Sequence, residues 1–137
     1  PALTLELPTA PEQELVTQIL GWEVTCRIVP TPSLAEIHAA GSYTAFLDRD
    51  SLPDQLHIRT RQPGDRFQPL GMTRDKKLQD FFTDARVPRQ LRDRVPLLTT
   101  DRGIVWVFGY RIAEWAKVKL DSENTQTVLM IRFAEAD

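Results

Sequence analysis

Positive charge set between stiff turns is the chemically suggestive feature of this chain. The stretch RTRQPGDRFQPLGMTRDKKLQDFF, residues 59–82, carries six basic side chains. Arginine forks and lysine ammonium groups in such a run suit phosphate oxygens. Arg61, Arg66, Lys76 and Lys77 lie inside it, and Arg89, Arg92 and Arg111 follow, at turn edges or on polar helix sides. These seven are the candidate contacts for a nucleic-acid backbone. General acid–base chemistry would instead need two of Asp65, Asp80 and Asp84 to converge on a cleft. Turn chemistry explains Asp65 more simply, as a side chain bonding local amides, and Asp80 and Asp84 read as helix-surface charges. The plain alternative for the cations is a solvated surface with scattered ion pairs to Asp65, Asp75, Asp80 and Asp93.

Other chemistries find little support in the residue pattern. Neither GxxxxGK[ST] nor GxGxxG occurs, so no nucleotide-binding loop is read. Cys26 sits in an alternating segment and reads as core rather than nucleophile. Ser33, Ser42, Ser51 and Ser122 lack His and Asp partners at useful spacing. His38 and His57 are 19 positions apart with no Cys or His at ligand spacing, so no metal site is expected. Among the aromatics, Trp106 and Phe108 read as core, and Trp115 is the one candidate for stacking on a base, with packing the simpler role.

The elements that must position these groups can be read from pattern. At 137 residues the chain suits one domain, and a 42% hydrophobic fraction is ordinary for a globular protein. No run of about 18 apolar residues suggests a membrane span. The lone cysteine allows no intrachain disulfide and fits a reducing compartment. The net charge of −2 hides a partition: residues 1–56 carry two basic groups against eight acidic, whereas residues 57–119 carry fourteen against seven. The middle is the part suited to an anionic partner.

Alternation predicts strands at 3–7, 22–29, 43–47 and 56–61, and again at 104–108 and 126–133. Pro63-Gly64 suits the centre of a type II turn, and Pro69-Leu70-Gly71 another. Asp75 is the expected N-cap of a helix whose Leu78, Phe81, Phe82 and Ala85 share one face. Pro88 is expected to open a second helical turn, with Leu91 and Val95 inward and Arg89 and Arg92 projecting together. Ile104–Phe108 should be covered on both faces. The sum is a β-rich α+β domain with one or two short helices.

The ordered series R-x-PGDRF-x-PLGM (61–72), KKLQDFF (76–82), VP-x-x-x-RD-x-VPLL (87–98) and IVWVFGYRI (104–112) resembles the C-terminal domain of bacterial tRNA(Ile)-lysidine synthetases. The likeness is close over about residues 56–133 and looser before them. It implies a layered, sandwich-like fold similar to a domain of the phenylalanyl-tRNA synthetase β subunit. One compact domain is expected, residues 1–55 forming a β-rich lead-in packed on the motif region 56–137. It places Arg61, Arg66, Lys76, Lys77, Arg92 and Arg111 on the family's basic positions. Pro63, Gly64, Pro69, Gly71, Pro88, Pro96 and Gly109 fall on its turn positions. Thr73-Arg74-Asp75 departs from relatives that place a glycine before the lysines.

The resemblance further implies that the parent enzyme is an ATP-dependent ligase that uses magnesium and lysine to convert the wobble cytidine of a CAU anticodon to lysidine. That chemistry belongs to an N-terminal domain with an SGGxDS motif, which is absent here. The chain, opening at Pro1 without Met, is therefore expected to be a cofactor-free, non-catalytic fragment. The expected partners are the acceptor stem of the minor isoleucine tRNA, the enzyme's own catalytic domain and a second copy in a homodimer, all in the cytoplasm. A structural module for docking or dimerisation is the competing reading.

Overall fold

The computed structural model describes residues 3–120 and 126–136. Pro1 and Ser122, both weighed above, lie outside the described residues. The chain opens with β1 (Leu3–Glu6), then β2 (Glu14–Ile19) and β3 (Trp22–Val29), an antiparallel hairpin. Its two loop residues, Leu20 and Gly21, both have positive φ, 52° and 86°, which matches a two-residue turn to the twist of its strands. α1 (Leu34–Ala39), β4 (Thr44–Asp48) and β5 (Gln55–Arg59) follow. Next come β6 (Arg66–Phe67), β7 (Lys76–Lys77) and α2 (Leu78–Asp84). A 3₁₀ turn at Arg89–Arg94 leads to β8 (Leu97–Thr100), β9 (Gly103–Val107), β10 (Arg111–Ile112) and β11 (Val128–Glu135).

The strands form an antiparallel five-stranded sheet in the order β1-β5-β8-β9-β10 and a four-stranded sheet in the order β2-β3-β11-β4. β6 and β7 pair as a separate two-stranded ribbon. Aromatic rings lock the two sheets together: Phe133 of β11 lies 5.6 Å from Trp106 and 4.5 Å from Phe108. Trp22 of β3 meets Phe108 edge-on at 5.3 Å. On the other side, β6 contacts β9, and Phe67, Phe81 and Phe82 of the ribbon and α2 join the same core. The four residues Ile104–Val107 are all buried because the second sheet covers one face of β9 and the ribbon layer the other. The strand-rich α+β class read from the sequence is the one observed.

Several local expectations are corrected. β2, α1, β6, β7, β8 and β10 fall outside the strands and helices that the pattern predicts. α1 carries a legible start signal, for Ser33 Oγ accepts from the Glu36 amide at 3.1 Å and the Glu36 carboxylate accepts from the Ser33 amide at 3.1 Å. Asp75 does not cap α2, which begins at Leu78, because Lys76 and Lys77 are drawn into the ribbon opposite Arg66 and Phe67. The 3₁₀ turn also changes the expected inward set in part. Val95 is buried as expected, but Arg92 is buried with it, drawn in by the Val87 carbonyl, and Leu91 is left exposed. Among the described residues no helix is long and apolar enough to cross a membrane.

Candidate nucleic-acid interface

The basic stretch is held by one carboxylate. Gly64 takes φ +85°, and the Asp65 amide donates to the Gln62 carbonyl at 3.2 Å, closing the Gln62–Asp65 turn. The Asp65 carboxylate accepts from both terminal nitrogens of Arg59, at 2.9 and 3.0 Å, and from the Gln62 amide at 2.8 Å. Partial burial pushes this carboxyl's pKa up. The Arg59 hydrogen bonds, the Gln62 amide and the Arg59 charge outweigh that and hold it below the ordinary aspartate value. The Asp65 carbonyl then accepts from the Leu78 amide at 2.9 Å, satisfying a donor at the start of α2 that no side chain caps. One residue thus ties β5, the turn and α2 together. Arg59, absent from the candidate set, is the fork that secures it.

A second turn is braced as firmly. Gly71 has φ +88°, and the Met72 amide donates to the Pro69 carbonyl at 3.0 Å. The Leu70 amide donates to the Ile112 carbonyl and the Gly71 amide to the Glu114 carboxylate, each at 2.9 Å. Bonding to Lys117 first, and to the Gly71 amide, lowers the pKa of Glu114. Gly109, with φ +84°, lies in the Val107–Tyr110 turn that joins β9 to β10. Pro88 precedes the 3₁₀ turn, and its carbonyl accepts from the Leu91 amide at 2.9 Å.

On this frame the cations divide. Arg66 and Lys77 are exposed and directly opposite each other across the ribbon. With Arg61, Gln62, Gln79 and Asp93 they line one groove. Arg61 donates to Asp93 at 2.7 Å and sits 6.0 Å from the Phe82 ring. Lys76, the neighbour of Lys77, points the other way along the strand and pairs with Asp84. Arg89 is exposed, and Arg111 is exposed with its guanidinium 5.9 Å from the Phe81 ring.

Arg92 departs from the set. Its side chain is buried and donates to the Val87 carbonyl at 3.0 Å and to Thr83 Oγ1 at 3.4 Å, so it does not project with Arg89. It buttresses the chain leaving α2.

The remaining candidates are quiet. Burial pushes the Cys26 thiol up to about 12, which keeps it protonated and unreactive at neutral pH. Trp115 is half-buried beneath Arg102, whose guanidinium lies 4.5 Å from the ring. No group of three or more His, Cys, Asp or Glu placed to hold a metal occurs among the described residues.

By its architecture and this face, the chain is a strand-rich α+β domain that presents a preformed cationic surface. It belongs to the TilS substrate C-terminal domain family, whose sequence model matches residues 56–129, more than half of the chain. It is 45% identical to a tRNA(Ile)-lysidine synthase of Dehalococcoides mccartyi over 82% of the chain and 23% of that protein. It is also 44% identical to tRNA(Ile)-lysidine synthases of Caldanaerobacter subterraneus, over 69% of the chain and 20% of that protein, and Symbiobacterium thermophilum, over 79% and 22%. The chain therefore spans less than a quarter of the length of these relatives. A solved structure described as the crystal structure of the TilS C-terminal domain superposes with a TM-score of 0.70 at 25% identity, covering 100% of this chain and 99% of that one.

Proposed function

We propose that this chain is the tRNA-binding C-terminal part of an ATP-dependent tRNA(Ile)-lysidine ligase. In this reading it holds the acceptor stem while a separate N-terminal domain modifies the wobble cytidine. The observation that carries the reading is the Arg66–Lys77 pair. Like charges directly opposite on two strands destabilise the pairing, and the ribbon is only two residues long on each side. A local rule broken on a braced frame is expected where function needs it. Asp75, 3.0 Å from Arg66, offsets part of the penalty, and an anion between the two cations would offset the rest. The relatives' names supply the anion: a tRNA backbone. A-form RNA is met through phosphates and 2′-hydroxyls, which suits arginine and lysine side chains without base-reading loops. ATP, magnesium and lysine would be handled outside this chain, and the work would be done in the cytoplasm, where the tRNA is.

The test is charge reversal of Arg66, Lys77 and Arg111 to Glu in the full-length enzyme, read as kcat and KM for tRNA. A raised KM at unchanged kcat is expected from lost uniform binding. Unchanged KM with an altered oligomeric mass would replace this reading with the docking module.

A further inference from the structure

We infer that Asp75, Asp84 and Asp93 are built-in competitors of RNA phosphate, occupying Arg66 and Arg61 beside the groove and Lys76 on the other side of the ribbon until an RNA backbone displaces them. The inference rests on the tRNA-binding reading and adds to it a device that moderates affinity. Three of the candidate RNA contacts already hold a carboxylate. Arg61 donates to Asp93 at 2.7 Å, and Lys76 pairs with Asp84. Arg66 meets Asp75 side-on, Nε to one oxygen at 3.0 Å and a terminal nitrogen to the other at 3.4 Å. That two-pronged approach is the one an arginine fork makes to two phosphate oxygens.

The three carboxylates differ from Asp65 in burial. Their side chains are 55% (Asp75), 65% (Asp84) and 78% (Asp93) exposed, against 13% for Asp65. Exposed ion pairs of this kind are weak and add little to folding. They therefore exchange readily, and their consequence falls on binding. A phosphate arriving at Arg66 must displace Asp75 and then lies beside the carboxylate it displaced. Both effects weaken every contact, and an RNA that engages only one or two cations gains too little to overcome them. A tRNA engaging all three cations displaces all three carboxylates, and it binds because its many contacts on one rigid frame outweigh that cost, so the carboxylates set how tightly it is held.

The test uses this chain and two triple variants of equal net charge. One is Asp75→Asn with Asp84→Asn and Asp93→Asn. The other is Glu12→Gln with Glu23→Gln and Asp101→Asn, all outside the ion pairs of this face. Binding is titrated with labelled minor isoleucine tRNA and with a single-stranded RNA homopolymer at fixed salt. The first triple is expected to bind tRNA roughly 3- to 30-fold tighter than the second, given weak exposed pairs acting together. Its gain should be larger for tRNA, which displaces all three carboxylates, than for a homopolymer that engages only one or two of the cations.

Equal affinity of the two triples for both RNAs overturns the inference while leaving tRNA binding intact. Absence of tRNA binding by all three proteins overturns the functional reading and this inference with it. Should the first triple lose cooperative unfolding, Asp93→Asn compared with Asp101→Asn decides the matter. About a 1.5- to 5-fold tightening is then expected, and none would overturn the inference.

Discussion

Asp65 shows at the scale of one residue how a candidate catalyst becomes a brace. The sequence places it after Pro63-Gly64, where a short carboxylate bonding its own turn is the simple reading. What the sequence could not supply is Arg59, six positions earlier, because that partner is fixed only once β5 and the turn are folded. Asp65→Asn removes the charge from a pair whose side chains are 13% and 22% exposed. A loss of about 1–3 kcal/mol is expected in urea unfolding at neutral pH, between the figures for exposed and buried pairs. The sign of the pH dependence follows from the lowered pKa. The carboxylate's contribution is complete above the ordinary aspartate range near pH 4 and is lost as pH falls through its lower folded-state value. The stability difference between wild type and Asp65→Asn should therefore shrink in acid, and a constant difference down to low pH would refute the brace. Arg92 is the contrary lesson: expected to project with Arg89, it is buried instead, because its guanidinium turns in to the Val87 carbonyl and Thr83 Oγ1, partners that only the folded chain brings within reach.

At the scale of the element, α2 explains what was legible and what was not. Its apolar face was readable from Leu78, Phe81 and Phe82, all of which are buried. Its start was not, because Lys76 and Lys77 obey a pairing with β6 that no local pattern announces. Its end is a Schellman arrangement: the Val87 amide donates to the Phe82 carbonyl at 2.9 Å and the Arg86 amide to the Thr83 carbonyl at 3.1 Å. The left-handed position is filled by Arg86, at φ 58°, where glycine is usual. Arg86→Gly should leave the fold intact and change stability by less than about 1 kcal/mol, in the stabilising direction, since relief of the strained φ outweighs the extra freedom of unfolded glycine. A chemical-denaturation midpoint checks this, and a clear loss of stability would mean the side chain holds more than its geometry shows. α1 differs: its start signal, Ser33 and Glu36 at a three-residue spacing, is present in the sequence, yet Pro30 and Pro32 read as a break and the helix is not among those predicted.

For the whole molecule, strand alternation gave the fold class but not the topology. Which strands meet depends on contacts far apart in sequence: β1 pairs with β5, and β11 is flanked by β3 and β4. We propose accordingly that residues 1–55 and 56–137 fold as one unit. A chain of residues 56–137 alone would leave β11 without either neighbour, and it should lack a cooperative unfolding transition. A sigmoidal transition with native-like strand content would contradict this. The charge partition, by contrast, was visible from residue counts, since the acidic N-terminal third and the basic middle are separate in sequence. The central claim is that this basic face holds a tRNA backbone, and the direct measurement is the affinity of the chain for the minor isoleucine tRNA across a salt series. With about 4–6 phosphates engaged, the log–log slope should lie near −3 to −5, and Arg66→Glu with Lys77→Glu should flatten it by about 2. No binding at low salt, or a slope near zero in the unaltered chain, would contradict the account.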